Sequence, residues 1–136
     1  MKLFIDASAI VAMLAREPEA SSFDQCVQIY PDRLISAVAV WEASRGLAEA
    51  RGIDFDEARK LVAEFVAVMN VRCVPIGAQE AELALDAHQR FGKGRHRARL
   101  NMGDCFAYAC AIRHADVILF KGEDFIHTDL KDATLA

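Results

Sequence analysis

The chain has 136 residues, of which 54% are hydrophobic and 26% are charged, and its formal net charge is −4 at pH 7. This composition is typical of one globular domain, spanning residues 1–136, and it excludes a disordered chain or one that is basic throughout. No apolar run reaches the length of a membrane span, no signal peptide precedes the first strand, and the four cysteines form no C-x-x-C pair. We therefore expect no membrane partner and a reducing, cytoplasmic location.

The first predicted strand, Leu3–Ile5, is a continuous apolar run that is followed at once by Asp6. Such runs are typical of central parallel strands, and open α/β sheets bind ligands at the carboxyl ends of these strands. A helix is predicted over Ala7–Ala15, so Asp6 either caps that helix or belongs to a site. Ser8 is placed either to orient Asp6 by a hydrogen bond or to act as a cap itself.

The middle of the chain predicts four helices and two strands. In chain order these are a helix from Glu17-Pro18 to about Tyr30, a turn at Pro31–Arg33, a strand at Leu34–Ser36, a helix at Ala37–Arg51, a helix from Phe55 to about Asn70, a strand at Val71–Pro75 and a helix at Gly77–Phe91. The second and third of these helices are predicted to form an antiparallel hairpin, whose apolar face either pairs two protomers or belongs to the core. In the fourth helix, Ala81, Leu85 and His88 fall in register, which predicts that His88 is partly buried.

Glu42 lies within the helix Ala37–Arg51, directly after the apolar pair Val40-Trp41. Two interpretations stay open for it. It is either an exposed helix glutamate that pairs with Arg45, or a carboxylate that takes part in a site.

A basic segment broken by glycines, Gly92–Arg99, follows the last of these helices. Its cations are Lys93, Arg95, Arg97 and Arg99. They form either a solvated loop or a contact for a phosphate backbone. The uncharged run Cys105–Ile112 then predicts a buried helix, which Asp104 opens either as its N-cap or as a metal-binding or catalytic carboxylate.

The last predicted strand, Val117–Phe120, is again a continuous apolar run, and it is followed by Glu123 and Asp124. A short edge strand is expected among the final residues. Because the carboxyl ends of parallel strands meet at one edge, acids from distant segments are expected to converge there. Clustered carboxylates repel one another unless a cation lies between them, and oxygen ligands favour Mg²⁺ or Mn²⁺.

The segments "FIDASAIVAML", "WEA", "GKGRHRARLNMGDCFAYACA" and "ILFKGEDFIHTDL" together resemble the PIN-domain ribonucleases of the VapC toxin type. The resemblance covers nearly the whole chain in the right order. It implies a three-layer α/β/α sandwich with a central parallel sheet. It also implies an endoribonuclease that depends on Mg²⁺ or Mn²⁺, forms a homodimer and is blocked by a cognate antitoxin.

Asp6, Glu42 and Asp104 match the first three acids of that family. The fourth is either Glu123 or Asp124, and Arg97 stands where the family often has proline. We expect metal-assisted hydrolysis of RNA phosphodiester bonds. Asp6 and Asp104 would bind the metal, while Glu42 would bind through water or act as the base.

Two other classes of protein fit parts of the pattern. One is a receiver-like phospho-acceptor domain, which has a lysine after a late strand. Lys121 superficially mimics that lysine, but no middle strand ends in an acceptor aspartate. The other is a catalytically silent PIN-like module that binds only RNA or a partner.

Overall fold

The fold is described by a computed structural model that covers residues 1–136 and consists of one four-stranded sheet flanked by six helices. The elements are β1 (Lys2–Ile5), α1 (Ala7–Leu14), α2 (Ala20–Ile29), β2 (Asp32–Ser36), α3 (Ala37–Arg51), α4 (Phe55–Val68), β3 (Arg72–Val74), α5 (Ala78–Phe91), α6 (Met102–His114) and β4 (Val117–Leu119). The predicted three-layer α/β/α sandwich is confirmed. Among the six helices there is none with the length and apolar character that spanning a membrane requires.

All strand pairs in the sheet are parallel, and the strand order is β3-β2-β1-β4. The central strand β1 places Phe4 opposite Leu34 of β2 on one side and Ile118 of β4 on the other. These side chains are fully buried, which explains why the central strands are continuous apolar runs. The chain leaves β1 toward β2 and later returns to its other side with β4. The carboxyl end of β1 is therefore the switch point at which open α/β sheets bind ligands.

The helix ends follow the predicted capping residues in the middle of the chain. The Ser36 hydroxyl accepts a hydrogen bond from the Ala39 N–H, and Asp54 accepts one from the Asp56 N–H. Gly52 ends α3 with a φ of 61°, a left-handed conformation that glycine adopts without steric strain. The helices α3 and α4 pack against each other across this short connection, as predicted for a hairpin.

Three predicted boundaries are wrong. Pro31–Arg33 is not a turn, because Asp32 already begins β2 and the Arg33 guanidinium is held by the backbone oxygens of Val27, Tyr30 and Met69. The helix α2 begins at Ala20 rather than at Glu17, since Pro18 lies in a separate turn. At the end of the chain, an isolated parallel bridge between Ile118 and Asp132 takes the place of an edge strand.

The predicted inner face of α5 is also wrong, because His88 is exposed and the Leu85 side chain is 64% exposed. The buried face is instead formed by Glu80, Ala84, Ala87 and Phe91. Leu85 and His88 line an apolar cavity of about 440 Å³ between α5 and α6, to which Met102 and Phe106 contribute. Alanines on several sides of the helix make its apolar direction ambiguous in the sequence.

The cysteines are free, as expected, but only three of them are buried. Cys26, Cys105 and Cys110 belong to the core, whereas Cys73 on the edge strand β3 is exposed. The two cysteines of α6 therefore behave as small apolar residues of the buried helix.

Candidate functional site

Asp6 lies at the switch point, and it is both a helix cap and a buried acid. Its backbone N–H donates to the Leu119 carbonyl at 3.0 Å, which continues the pairing of β1 with β4. Its Oδ2 accepts hydrogen bonds from the Ser8 N–H at 3.0 Å and from the Ser8 hydroxyl at 2.6 Å. The predicted hydrogen bond between Ser8 and Asp6 is thus present. The two interpretations of Asp6 are compatible, because one carboxylate can cap α1 and still line a cavity.

Asp104 is the third residue of α6 and not its N-cap, which is Asn101. The Asp104 N–H donates to Asn101 Oδ1 at 2.9 Å, and Asp104 Oδ2 accepts from the Asn101 N–H at 3.1 Å. This reciprocal pair is a capping box, which fixes the orientation of the carboxylate at the start of the helix. Of the two interpretations left open for Asp104, the N-cap is therefore wrong by three residues.

Glu42 points from α3 across the first turn of α6. Its carboxylate lies so close to Gly103 that a Cβ at that position would overlap it. The predicted ion pair with Arg45 is absent, since the Arg45 guanidinium instead lies over the Trp41 ring, 5.5 Å from its centroid. Glycine at position 103 is what allows the Glu42 carboxylate to lie beside Asp104.

Two cavities meet at Asp104. The first, of about 480 Å³, is lined by Asp6, Ser8, Glu42 and Asp104 together with Glu17 and Lys121. The second, of about 390 Å³, is lined by Asp104, Glu123, Asp124 and His127 together with Lys93, Arg97 and Arg99. The structure therefore brings the predicted acids and most of the predicted cations to one edge of the sheet.

The acids interact through their charges. Burial raises the pKa of Asp6, and burial followed by the nearby Asp6 carboxylate raises the pKa of Glu42. For Asp104, burial is the largest cause and the carboxylates of Asp124, Asp6 and Glu42 add to it, so that its pKa rises to about 7. We refer to Asp6, Glu42, Asp104 and Asp124 as the carboxylate cluster.

The two candidates for the fourth acid differ in this respect. The charge of Asp124 contributes to the raised pKa values of Asp6 and Asp104, whereas Glu123 lines the second cavity without being a main cause of either shift. Both side chains are exposed. The charge of Asp124 is thus coupled to those of Asp6 and Asp104, and its choice over Glu123 as the fourth acid stays a prediction.

None of the four acids in the carboxylate cluster forms a salt bridge with a lysine, arginine or histidine. Carboxylate oxygens outside salt bridges are the donor type that Mg²⁺ and Mn²⁺ prefer. The side chains do not yet form a closed coordination shell, because no three His, Cys, Asp or Glu residues are gathered in a metal-ligating arrangement. The donor chemistry thus fits a hard divalent cation.

The basic segment lines two neighbouring cavities. Lys93, Arg97 and Arg99 line the cavity beside Asp104, and the same three cations line a polar depression of the loop together with Arg95. Arg99 has a φ of 56°, an uncommon backbone conformation for a residue with a side chain. Arg95 does not line the cavity that contains Asp104, and the role of all four cations in substrate binding stays a prediction.

Sequence reasoning missed four residues of this edge: Asn101, Gly103, Lys121 and His127. Only Asn101 had a local signal, since an asparagine three residues before an aspartate is the pattern of a reciprocal helix cap. The positions of the other three depend on contacts between distant segments.

The model of the family described as "PIN domain" matches residues 3–131 of the chain. The VapC ribonuclease Mb0640 of Mycobacterium bovis is 40% identical over 98% of this chain and 99% of its own length. The ribonuclease VapC of Mycolicibacterium smegmatis is 37% identical over 94% of this chain and 97% of its own. The VapC ribonuclease R02377 of Rhizobium meliloti is 36% identical, with 93% and 98% covered. The chain belongs to the PIN domain family and, within it, to the VapC group.

Proposed function

We propose that the chain is a metal-dependent endoribonuclease, the toxin of a toxin–antitoxin pair, which hydrolyses RNA phosphodiester bonds. One observation carries the proposal: Asp6, Glu42 and Asp104, from three distant segments, line a single cavity, and none of them forms a salt bridge with a cation. The names of the VapC relatives supply the reaction class. The cations of the adjoining cavity supply a surface for a polyanion.

In this proposal Asp6 and Asp104 hold Mg²⁺ or Mn²⁺, with Glu42 and Asp124 completing the set of carboxylates. When bound, the metal would neutralise charge that develops on the phosphate and lower the pKa of water. The hydrogen bonds from Ser8 and Asn101 fix the directions of the Asp6 and Asp104 carboxylates. Such orientation of ligands by their neighbours is typical of metal sites.

The chain's own contribution to substrate binding is proposed to come from Lys93, Arg97 and Arg99. Their side chains are exposed and line the cavity that shares Asp104 with the first one. A single RNA strand crossing Asp104 would place its phosphates against these cations. Arg95, which lies outside this cavity, is expected to contribute less.

The test is to replace Asp6 or Asp104 with asparagine and to measure cleavage of a single-stranded RNA in Mn²⁺. Each variant should lose roughly 100-fold or more of the activity, because even the neighbours of metal ligands are worth 10- to 100-fold. The matched control is Asp86→Asn, an exposed acid on α5, which should cleave like the unsubstituted chain. Metal-dependent cleavage that persists in Asp6→Asn or Asp104→Asn would contradict these roles.

The two alternative classes are separated from the proposal by simple observations. Membership in the PIN domain family removes the basis for a receiver-like domain, and β2 and β3 end at Ser36 and Val74 without an acceptor aspartate. A catalytically silent module would neither cleave RNA nor gain thermal stability from Mn²⁺. Both measurements use the same purified protein.

The partners of the chain are part of the proposal. From the VapC relatives we infer a homodimer that acts in the cytoplasm and is blocked by a cognate antitoxin. The exposed side chains of Leu85 and Met102 support a protein partner, because large apolar side chains seldom cluster on a free surface. Light scattering of the purified chain measures whether it is a dimer, and a monomer at all concentrations would remove that part of the proposal.

A further inference from the structure

Lys121 directly follows β4 and is attached to the carboxylate cluster through its backbone. Its N–H donates to the Ser8 hydroxyl at 3.0 Å, and that hydroxyl donates to Asp6 Oδ2 at 2.6 Å. The Ser8 hydroxyl therefore connects the Lys121 main chain to the Asp6 carboxylate. A displacement of Lys121 would disturb the hydrogen bond that orients the Asp6 carboxylate.

The side chain of Lys121 is the only cation that lines the cavity containing Asp6, Glu42 and Asp104. Its ammonium group nevertheless pairs with none of these acids. It lies 3.2 Å from Glu17 Oε1 and 3.5 Å from Glu19 Oε2, on the segment between α1 and α2. The side chain is 36% exposed, so the ammonium group is held at the rim of the cavity and within reach of solvent.

Glu17 and Glu19 hold this ammonium group in a particular place. Two carboxylates surround one lysine, and the second oxygen of Glu19, Oε1, is buried without a hydrogen-bond partner. The contact with Lys121, through Oε2, is thus the only salt bridge that Glu19 forms. The pair keeps the ammonium group away from the carboxylate cluster.

We propose that Lys121 is a substrate-positioning residue that binds an RNA phosphate at the rim of the carboxylate cluster, opposite the cations of the basic segment. The inference rests on the proposed function. Lys121 lies in the cavity on one side of Asp104, whereas Lys93, Arg97 and Arg99 line the cavity on the other side. A strand that crosses the cluster thus meets a cation before and after Asp104, which fixes the phosphate between them.

The same geometry assigns Glu17 and Glu19 the role of anchors. A lysine side chain is flexible, and the acids that line the same cavity are alternative partners of its ammonium group. Without the anchors, the ammonium group would pair with these acids and compete with a divalent cation. The anchors therefore keep one cation available for RNA and leave the carboxylates free.

The first experiment compares Lys121→Met with Lys60→Met, which removes an exposed lysine paired with Asp56 at 2.9 Å on α4. Binding of a fluorescent single-stranded RNA is measured by anisotropy in EDTA over a range of salt concentrations. Lys121→Met should bind several-fold more weakly, and the slope of log affinity against log salt should fall by about 0.7, the value for one lost contact with a single strand. Lys60→Met should leave both unchanged.

Kinetics in Mn²⁺ provide a second readout. Lys121→Met should raise KM more than it lowers kcat. Lys121→Arg should keep a KM close to that of the unsubstituted chain, because the positive charge is what binds the phosphate. Equal RNA affinity and equal salt slope in Lys121→Met and Lys60→Met would overturn the inference. Failure of the unsubstituted chain to bind or cleave RNA would instead overturn the proposed function, so the two failures are distinguishable.

The anchors are tested by the double variant Glu17→Gln and Glu19→Gln, with Mn²⁺-induced thermal stabilisation as the readout. The concentration of Mn²⁺ needed for half of the stabilisation should rise several-fold. Adding Lys121→Met to the double variant should return this Mn²⁺ concentration to its original value, because the competing ammonium group has been removed. An unchanged Mn²⁺ requirement, or a rise that persists in the triple variant, would overturn the role of the anchors.

Discussion

A substitution at Gly103 tests whether cleavage depends on the position of the Glu42 carboxylate within the carboxylate cluster. In Gly103→Ala, the added Cβ would overlap the Glu42 carboxylate, which must then move away from Asp104. We expect RNA cleavage to fall on the order of 100-fold, because small displacements of reacting groups have effects of this size. Stability should change little, since alanine favours a helix over glycine by up to about 1 kcal/mol. Cleavage rates and urea unfolding measure the two effects.

A double-variant comparison isolates the contact between Gly103 and Glu42. If Gly103→Ala acts by displacing the Glu42 carboxylate, it should cause almost no further loss in a Glu42→Ala background. Fully additive losses would mean that the substitution acts through another route. The comparison is informative because the two residues belong to different helices, α3 and α6.

At the scale of single residues, the sequence was sufficient to find acids that follow buried strands. Asp6 follows the central strand β1, Asp124 follows the buried apolar strand β4, and parallel pairing of these strands brings their ends together. Gly103 and Lys121 could not be found in this way. Gly103 matters because a side chain from another helix crosses it, and Lys121 matters because of glutamates between α1 and α2.

The helices α5 and α6 are joined by a buried carboxylate that the sequence did not reveal. Glu80 is the third residue of α5, and its Oε1 accepts a hydrogen bond from the Gly77 N–H at 2.7 Å. Its Oε2 contacts the Arg113 guanidinium and lies 2.9 Å from His114 Nε2, at the end of α6. The Glu80 side chain is 2% exposed. One acid therefore caps α5 and ties its start to the end of α6, the helix that presents Asp104.

This arrangement predicts a pH-dependent contribution to stability. The Gly77 hydrogen bond, followed by the contact with Arg113, lowers the pKa of Glu80 from about 4.5 to about 2. A lowered pKa means that the folded protein binds the proton less tightly than the unfolded chain does. The stabilisation is therefore complete above about pH 4.5 and is lost as the pH falls toward 2.

Replacing Glu80 with glutamine should lower the midpoint of urea unfolding at pH 7, because the ion pair with Arg113 is removed and Arg113 loses its buried partner. The difference between Glu80→Gln and the unsubstituted chain should shrink between pH 4.5 and pH 2.5. Glu82→Gln is the matched control, since Glu82 is exposed on the same helix. A difference that stays constant with pH would show that the charge of Glu80 is not what stabilises the folded state.

At the scale of elements, the prediction succeeded for the ends of α3 and α4 and failed for the start of α2, the N-cap of α6 and the buried face of α5. Ser36, Gly52 and Asp54 set the bounds of α3 and α4 through local hydrogen bonds and backbone conformation, which the sequence displays directly. The orientation of α5 is decided by packing against α6. Because alanines occur on several sides of α5, only the packed structure shows that Leu85 and His88 face outward.

For the whole molecule, the switch in strand order explains why the acids collect where they do. The strand order β3-β2-β1-β4 leaves the carboxyl end of β1 beside that of β4, and α6 begins at the same edge. The continuous apolar strands predicted this parallel sheet, but not the order of its strands. Burial at this edge, together with the charges of neighbouring acids, raises the pKa values of Asp6, Glu42 and Asp104 and makes the metal-free protein sensitive to pH.

The pH dependence of stability can be measured in the absence and in the presence of a divalent cation. The raised pKa of Asp104, about 7, means that the folded state binds this proton more tightly than the unfolded chain does, so the associated stability is present at low pH and is lost as the pH rises through 7. In EDTA, Tm should therefore fall between pH 5 and pH 8. Mn²⁺ at about 100 times its Kd should add roughly 2.7 kcal/mol at pH 8 and less at pH 5, where protons compete with the metal. In Asp104→Asn both the fall in EDTA and the gain in Mn²⁺ should largely disappear. An equal gain in Asp104→Asn and the unsubstituted chain would place the cation elsewhere on the molecule.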